Sequence, residues 1–353
     1  MLQMKKLWRL PAIAIFAVLR LIKQNKWWLP AIAIFAVFPL IEKNPEYQTI
    51  AFYTLIFMAA STSWNMFSGY SGYVALGSGA FYGTGAYTMA LASIHWHMAA
   101  GAAMFWLVPL GGLLATLIAI PIGWIALRVR RHTFVVITIA IFFVFQLFAI
   151  NMSFTGGTAG LNLPFITWNN SYYDIPFYYI AFAIVLFAVV LSASVRRSRF
   201  GLQLLAIRDD EDRALGLGVK VSAVKLTGFA MSAFAIGMCG ALYAMFQGQI
   251  YPQFVFDPLF DISIALMAFL GGFGTLLGPL LGALVLESMQ QYLTVTYSSG
   301  SLYLILFGAL FLIVILFMPQ GVVVYLRDRW TKKEERERAA VIANEVAFAG
   351  DSA

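Results

Sequence analysis

The chain has 353 residues, of which 61% are hydrophobic and only 11% are charged, and its mean hydropathy is +0.82. Soluble globular chains are about 45–50% apolar and about 25% charged, so this composition excludes that class and predicts an integral membrane protein. The formal net charge of +7 would suit a nucleic-acid partner, but the basic residues lie at the ends of apolar segments, where membrane topology explains them.

Residues 1–26 are predicted to form an interfacial segment on the cytoplasmic face. The sequence LPAIAIFAV occurs twice, at Leu10–Val18 and at Leu29–Val37, and each copy is too short to cross a bilayer comfortably. Basic residues flank the first copy on both sides, which favours a helix lying in the interface, whereas the second copy opens the first span. A cleavable signal peptide is the weaker interpretation, because no small-residue cleavage site closes the run.

Ten apolar stretches are predicted to be transmembrane helices, so the predicted fold is an all-α polytopic membrane protein. They lie near residues 27–41, 49–67, 72–94, 103–127, 134–150, 177–195, 223–246, 258–271, 275–294 and 302–319. About ten spans of about twenty residues would use somewhat over half of the chain. The predicted transmembrane domain covers residues 27–326, and residues 327–353 form a tail of mixed charge that we expect to be a solvated cytoplasmic helix.

The charge distribution predicts the orientation of these spans. If the N-terminus is cytoplasmic, the cytoplasmic segments hold every Lys and Arg except Lys43. The opposite side then carries the acidic residues Glu42, Glu46, Asp174, Asp257 and Asp261. Because Lys and Arg are retained on the cytoplasmic side, both termini are predicted to be cytoplasmic.

The segment Arg196–Lys225, named the coupling loop, is too long and too polar to be a simple turn. It carries seven Lys or Arg and four Asp or Glu between two apolar runs. Asp209–Asp212 supply the negative charge that the first turn of a helix favours. A small apolar face and two glycines that could end the helix follow: Ala214, Leu215, Gly216, Leu217 and Gly218. The segment is either a docking helix for a soluble partner or an ordinary cytoplasmic loop.

Two glycine-rich passages, Ser68–Tyr87 and Leu270–Gly282, interrupt the hydrophobic pattern in the two halves of the chain. Glycine at this density either lets helices approach closely or permits broken helices that line a cavity. One such passage in each half indicates a translocation pathway at the interface of an internal repeat. Neither passage is followed by Lys-Ser or Lys-Thr, so the phosphate-loop pattern is absent.

The predicted outer loop Asn151–Pro176 has one acidic residue and no basic one, and it is rich in Asn, Gly, Thr and aromatic residues. It is predicted to be either a structured surface for a protein partner or pore lid, or a simple turn region with interfacial aromatic residues.

Few ionisable groups fall within the predicted spans, so each is a candidate functional residue. Glu287 either lines a polar pathway or lies near the outer end and reaches water, and the second interpretation is preferred. Asp257 and Asp261 flank Pro258, and helix capping explains them. His95 and His97 lack the neighbours of a metal site, and no catalytic set appears, so no metal, no cofactor and no enzymatic activity are predicted. The single Cys239 is best explained as a small packing residue.

Several motifs, in this order, resemble the LivM-type permeases of branched-chain amino acid ABC importers. They are GYSGYVALGSGAFYGTGAY, TGGTAGLNLP, RSRFGLQLLAIRDDEDRALGLGV followed by Lys225, LMAFLGGFGTLLGPLLGA and a final MPQG. The resemblance runs from about Asn65 to Gly321. It implies a type II-like importer permease with an internal repeat in the bacterial inner membrane. It also implies a second, LivH-like permease, two cytoplasmic ATPase subunits and a periplasmic binding protein that delivers Leu, Ile or Val.

The resemblance also implies roles for particular positions. The ATPase-coupling helix would comprise Arg208, Asp209, Asp210, Glu211, Ala214, Leu215, Gly216 and Leu217. The translocation pathway would include Gly69, Gly72, Tyr73, Ser78, Phe81, Gly85, Tyr87, Gly271, Gly272 and Gly274. Glu287 is added to this pathway as a candidate because of its charge within a span, not because of the resemblance. The binding protein would dock on the outer loop at Thr155, Gly156, Gly157 and Gly160. Many family members have Gln, Ser and His where this chain has Tyr73, Ala75 and Ser78, and permeases for urea and short amides share the motifs, so the substrate stays open.

Two other classes of membrane protein, the secondary transporters and the channels, need sequence features that differ from those of an ABC permease. An ion-coupled secondary transporter needs a buried ion site, for which only Glu287 is available. A channel needs a ring of selectivity groups and no docking helix. Dependence of uptake on ATP, or on sodium or protons, separates an ABC importer from a secondary transporter.

Overall fold

The computed structural model describes residues 28–42, 44–97, 101–164 and 174–297, together with the isolated residues 305, 308, 309 and 312. The first copy of the duplicated segment, most of the tenth predicted span and the C-terminal tail lie outside these residues. The helices within the described part are α1 (Trp28–Ile41), α2 (Pro45–Ser71), α3 (Gly79–His95), α4 (Leu107–Ala126), α5 (Arg131–Asn151), α6 (Asp174–Arg197), α7 (Arg199–Asp209), α8 (Glu211–Gly216), α9 (Val221–Gln247), α10 (Pro252–Val255), α11 (Pro258–Gly271) and α12 (Gly278–Tyr297). Short 3₁₀ turns occur at Ala102–Trp106, Ser153–Thr155 and Gly157–Ala159, and the strands β1 (Leu161–Asn162) and β2 (Gln249–Ile250) pair antiparallel.

The all-α membrane architecture is confirmed, but the count of ten spans is not. Each of the first nine predicted spans overlaps a described helix. Within the described residues, six helical segments are long and apolar enough to cross a membrane, judged by length and composition. α1 has 14 residues and α3 has 17, so both are shorter than the roughly 20 residues that a perpendicular span needs. The number of spans therefore stays a prediction.

α2 begins and ends where local sequence signals require. The Asn44 side chain accepts a hydrogen bond from the Glu46 amide at 3.0 Å, Pro45 occupies the first turn, and Glu46 favours the positive helix end. Gly72 ends the helix at a φ of +73°, a left-handed conformation that glycine adopts without a Cβ penalty.

α2 and α9 form the centre of the bundle. α2 packs against α6, α9, α11 and α12, while α9 also packs against α3 and α4. In the most apolar stretch of α2, 78% of the residues are buried, whereas in that of α5 only 22% are buried. α5 exposes apolar side chains such as Val136 and Val144 on the outside of the bundle. An apolar outer surface around a closely packed centre suits a bundle surrounded by lipid tails.

Glycines allow the central helices to approach closely, which confirms the packing interpretation of many of them. A Cβ on Gly85 of α3 would overlap the carbonyl of Gly237 on α9, and a Cβ on Gly240 would overlap the carbonyl of Tyr82. A Cβ on Gly282 of α12 would overlap the carbonyl of Met267 on α11. Backbone contact of this kind is the main use of small residues between membrane helices.

The third predicted span starts later than the sequence indicated, because residues 73–78 are not helical. Their backbone groups bond to side chains instead: Trp64 Nε1 donates to the Ala75 carbonyl at 2.6 Å, and the Leu76 amide donates to Thr138 Oγ1 at 3.2 Å. Non-helical backbone at membrane depth is tolerated where protein groups satisfy it. The first glycine-rich passage therefore contains a broken helix.

Candidate functional site

The end of the bundle that carries Arg128–Arg131 and the coupling loop is called the basic end here. The coupling loop forms two helices rather than one. Ser198 caps α7 by accepting from the Gly201 amide at 3.1 Å, and Asp210 caps α8 by accepting from the Arg213 amide at 3.0 Å. Arg208 and Asp209 thus end α7, and the predicted single helix from Arg208 is broken at Asp210.

The apolar residues of α8 divide into one that faces the bundle and two that face away. Ala214 is buried, whereas Leu215 is 62% exposed and Leu217 is 84% exposed. Gly216 lies within the helix with open space around it, and Gly218 takes the left-handed conformation at a φ of +82°. Of the predicted apolar face, only Ala214 therefore packs against the bundle, whereas Leu215 and Leu217 are exposed.

A buried ion pair connects α8 to the transmembrane helices. Lys225 of α9 is 3% exposed, and its Nζ donates to Glu211 Oε1 at 2.7 Å and to the Tyr73 hydroxyl at 3.1 Å. The Tyr73 hydroxyl donates to Glu211 Oε2, and Lys225 Nζ lies 4.3 Å from the centroid of the Tyr73 ring. Each of the three residues contacts the other two, so α8, α9 and the non-helical segment after α2 are held at one point.

The ionisation of this cluster follows from its contacts. Burial alone would raise the pKa of Glu211, but hydrogen bonds from Lys225 and Tyr73 and the charge of Lys225 hold the pKa of that carboxyl below its ordinary value. The Tyr73 hydroxyl gives its proton to this carboxylate while it accepts from Lys225. The carboxylate of Glu211 is therefore charged and has two donors, which is the arrangement that a partly buried ion requires.

Three arginines join the coupling loop and its neighbours to backbone carbonyls of the glycine-rich passages and of α7. Arg208 Nη1 donates to the Gly69 carbonyl at 2.8 Å, and Arg196 Nη1 donates to the Gly274 carbonyl. Arg131 Nη2 donates to the last carbonyls of α7, those of Ile207 and Arg208, at 2.7 and 2.6 Å. Cations at the C-terminal end of a helix also complement its dipole.

The two glycine-rich passages meet at the basic end. The Asn65 side chain of α2 accepts from the Gly274 amide and donates to the Thr275 carbonyl, both at 2.8 Å. A Cβ on Gly69 would lie 2.9 Å from the Gly274 amide nitrogen, so only glycine allows this approach. The predicted pairing of one passage from each half is thus a direct contact.

The predicted pathway residues fall into separate groups. Five glycines lie at the basic end, with Tyr73 in the ion-pair cluster beside them: Gly69, Gly72, Gly271, Gly272 and Gly274. Ser78 is buried just before α3, Phe81 packs edge-on against Phe229 with centroids 5.2 Å apart, and Tyr87 stacks on Phe256 at 5.9 Å. Gly85 contacts α9 by backbone, and Glu287 lies in another part of the bundle on α12.

Of the two acidic residues that flank Pro258, only Asp257 caps its own helix. Asp257 accepts from the Leu259 amide at 2.9 Å, as predicted for α11. Asp261 is buried, and both of its carboxylate oxygens lie 3.1 Å from the Gly79 amide at the start of α3. The capping interpretation is therefore right for Asp257 and wrong for Asp261, which caps a broken helix that lies 182 residues away in sequence.

The described part of the outer loop is structured. Thr155 Oγ1 donates to the carbonyls of Ala149 and Met152 at 2.6 Å. Gly156, Gly157 and Gly160 have φ values of +77°, +54° and +73°, which favour glycine. β1 pairs with β2, so this loop is held against the end of α9; residues 165–173 of the predicted loop lie outside the described residues.

Glu287 is enclosed by its neighbours, contrary to the preferred interpretation that it reaches water. Its side chain is 0% exposed, and Gln291 Nε2 donates to its Oε1 at 2.8 Å. The expectation that it simply reaches water near the outer end is wrong for the chain as described. No group of three or more potential metal-ligating side chains occurs among the described residues.

Sequence reasoning selected the coupling loop but missed how it is attached. A lysine at the fifth position of an apolar helix, Lys225, signals a buried partner, yet Tyr73 and Glu211 lie 152 and 14 residues from it. From the sequence, Arg131 and Arg196 are indistinguishable from arginines that only set the membrane topology. No local pattern shows that an arginine will bond to a carbonyl far away in the sequence.

Together, the apolar bundle, the broken helix and the short helix at the basic end define a polytopic helical membrane protein. The family model described as "Branched-chain amino acid transport system / permease component" matches residues 47–315, so the chain belongs to that family. No solved structure matches the chain.

Among curated proteins, the chain is similar to the high-affinity branched-chain amino acid transport system permease protein LivM of Escherichia coli K12. The two are 27% identical over 310 residues, which cover 79% of this chain and 70% of that protein. LivM of Salmonella typhimurium is 26% identical over the same lengths. The LivH permease protein of Escherichia coli K12 is 30% identical over 128 residues, which cover 36% of this chain and 41% of that protein.

Proposed function

We propose that this chain is the permease subunit of an ATP-driven importer that carries branched-chain amino acids across a bacterial inner membrane. The observation that carries the proposal is the two-sided arrangement of α8. On one side, Leu215 and Leu217 are exposed with no covering contact among the described residues. On the other side, Glu211 is tied to Lys225 within the bundle. A short helix that is open outwards and anchored inwards suits transmission of force from a soluble partner.

The anchoring contacts indicate how the force would travel. Movement of α8 acts on α9 through Lys225 and on the non-helical segment through Tyr73. Movement of α7 acts on the first glycine-rich passage through Arg208, and Arg196 connects the end of α6 to the second passage. In the proposed cycle, closure of the ATPases shifts both helices, and the two passages then change their separation and open the path alternately to each side.

The proposal includes the partners and the orientation of the chain. The basic end is placed in the cytoplasm, because basic loops remain there, and two ATPase subunits dock on it. A second, LivH-like permease completes the path, and a periplasmic binding protein docks on the opposite end near Thr155 and Gly156–Gly160. Both termini are placed in the cytoplasm. ATP hydrolysis belongs to the partner subunits.

Leucine, isoleucine and valine are the proposed substrates because the bundle interior is largely apolar and aromatic and because the relatives' names support this class. Urea and short amides are the alternative, since permeases for those compounds share the motifs of this chain. Radiolabelled uptake of each compound by the complete system decides between them.

One observation, the buried carboxylate of Glu287, also favours an ion-coupled secondary transporter. Uptake that continues without ATP and stops with an ionophore would support that class. Uptake that requires ATP and is unchanged by the ionophore would exclude an ion-coupled secondary transporter.

The docking role of α8 is tested by co-purification of the ATPases with tagged chain. Gly216→Glu adds a charged side chain in open space, so we expect it to release the ATPases without unfolding the permease. Gly216→Ala is the matched control and should retain them. Ala214 is a poor position for this test, since it is buried and a charge there would disturb folding. Equal ATPase recovery from Gly216→Glu and wild type contradicts the docking role.

A further inference from the structure

The strongest unexplained group in the described chain is the carboxylate of Glu287. It is fully buried, and only one of its oxygens is bonded: Oε1 accepts from Gln291, while Oε2 has no hydrogen-bond partner among the described residues. The buried Oε1 of Gln290 also has none within that part of the chain. The ion pairs found in the described residues all involve other carboxylates. A buried acidic group with a vacant acceptor and no basic neighbour is costly unless a cation or proton meets it.

α12 packs against α2, and Glu287 of α12 lies at about the level of Tyr53 along this packing. Asn65 of α2 bonds to Gly274 and Thr275 just before α12, and the two helices run antiparallel from that point. Tyr53 lies twelve helical residues, roughly 18 Å, from Asn65 along α2, and Glu287 lies nine helical residues, roughly 14 Å, from Gly278 at the start of α12, so the two are at about the same level. Because α2 and α12 pack against each other, both residues lie in the same layer of the bundle.

Three tyrosines from three helices gather at this level. The ring centroids of Tyr53 and Tyr243 are 6.2 Å apart, and those of Tyr82 and Tyr243 are 5.5 Å apart. Phe260 stacks on Tyr82 at 4.3 Å and contacts Phe57 at 5.5 Å, which adds an apolar aromatic wall. Aromatic faces attract ammonium groups, most strongly where water is excluded.

Polar groups lead from the end opposite to the basic end towards this cluster. Gln247, at the last position of α9, is exposed; its Oε1 accepts from the Tyr53 hydroxyl at 3.2 Å, and its Nε2 donates to the Tyr243 hydroxyl at 3.3 Å. Tyr53 and Tyr243 are partly buried, and Tyr82 and Glu287 are buried. The order of increasing burial follows the direction in which an imported molecule would enter.

From this arrangement we propose that Glu287, Tyr53, Tyr82 and Tyr243 form a subsite that binds the primary ammonium group of an amino acid on the transport path. The vacant Glu287 oxygen supplies the counter-charge, the tyrosine faces surround the ammonium, and the wall of Phe57 and Phe260 is suited to an aliphatic side chain. The inference rests on the proposed function, since it names the chemistry that the permease recognises in its substrate.

Binding to the purified permease complex, without the binding protein, tests the subsite directly. The probe is radiolabelled leucinamide, which has the ammonium group and the leucine side chain but no carboxylate. Wild type should bind it saturably, with competition by leucine and none by 2-hydroxy-4-methylpentanoate, which lacks the ammonium group. Glu287→Gln should weaken binding at least tenfold, and Tyr53→Leu should weaken it less. Glu46→Gln, which changes an exposed carboxylate at the start of α2, is the control and should bind as wild type does.

Leucine uptake by the complete reconstituted system separates failure of the subsite from failure of the proposed function. If wild type imports leucine with ATP and Glu287→Gln imports it at the same rate, the subsite is overturned and the importer stands. If wild type imports no branched-chain amino acid, the proposed function fails, and leucinamide binding still decides the subsite. Absence of leucinamide binding by wild type, or saturable sodium binding that depends on Glu287 without it, overturns the ammonium subsite.

Discussion

Lys225 and Glu211 lie 2.7 Å apart, although one belongs to a transmembrane helix and the other to a short helix that faces away from the bundle. The lysine is nearly inaccessible, whereas the Glu211 side chain is 30% exposed. The neighbours of Lys225 therefore fix its position, whereas the more exposed Glu211 can change its environment when a partner covers α8. It gives the coupling loop a defined attachment point.

We predict that Lys225→Met and Glu211→Gln each destabilise the permease and uncouple ATP hydrolysis from uptake. Lys225→Met leaves the partly buried Glu211 without its charged partner, at a cost of about 1–3 kcal/mol, and Glu211→Gln leaves the buried Lys225 without its own, at a cost of up to about 5 kcal/mol. The measurements are thermal unfolding in detergent and the number of ATP molecules hydrolysed per leucine imported.

The double variant should lose less than the sum of the two single changes, because the residues contact each other. Arg213→Ala, which removes an exposed pair with Asp210, is the control and should cost no more than about 1 kcal/mol. Additive effects of Lys225→Met and Glu211→Gln would show that the contact carries no coupling.

We predict that the stabilisation from Glu211 disappears in acid. Because the pKa of Glu211 in the folded protein lies below its ordinary value of 4.5, its contribution is complete above pH 4.5 and is lost as the pH falls through the folded pKa. The difference in melting temperature between wild type and Glu211→Gln should therefore be constant near neutral pH and shrink below pH 4.5.

Asp212→Asn is the control for this pH series, since that side chain is 82% exposed and its ion pair within the described residues is the long one with exposed Arg130, at 3.8 Å. Its melting temperature should follow that of wild type throughout. A difference between wild type and Glu211→Gln that grows on acidification would contradict the assigned direction of the pKa.

We predict opposite effects for two glycine-to-alanine changes. In Gly240→Ala the added Cβ overlaps the Tyr82 carbonyl, so α3 and α9 must separate, at about 1–3 kcal/mol. Gly216→Ala meets no atom within 4 Å in a helix, and alanine should stabilise that helix by up to about 1 kcal/mol. Thermal unfolding of both variants in the same detergent measures the effects, and equal melting temperatures would contradict the close backbone approach.

The sequence predicted the positions of most described helices, because hydrophobic runs and charged ends carry that information locally. It could not place Asp261 on Gly79, since a helix cap supplied from 182 residues away leaves no local pattern. The break at residues 73–78 was hidden for a similar reason: its backbone is satisfied by Trp64 and Thr138, which belong to other elements.

For the candidate sites, too, the sequence predicted the features that have a local pattern and missed those that depend on distant contacts. The coupling loop was evident because charge is rare in this chain, and the pairing of the glycine-rich passages was expected from their density. Glu287 was recognised as unusual but placed near water, because a span boundary read from hydropathy cannot say how deeply neighbouring helices bury one face.

Arg131, Arg196 and Arg208 have one further consequence, because they donate hydrogen bonds to main-chain oxygens. Such an attachment does not depend on the side chains that line the passage, whereas the proposed recognition of cargo at Glu287 and the tyrosines does. In the proposed cycle, the contacts that would receive force from the ATPases are therefore separate from the groups that would select the cargo. A transporter with this arrangement can acquire a new cargo by changing a few side chains around Glu287 and the tyrosines while the contacts at the basic end stay the same.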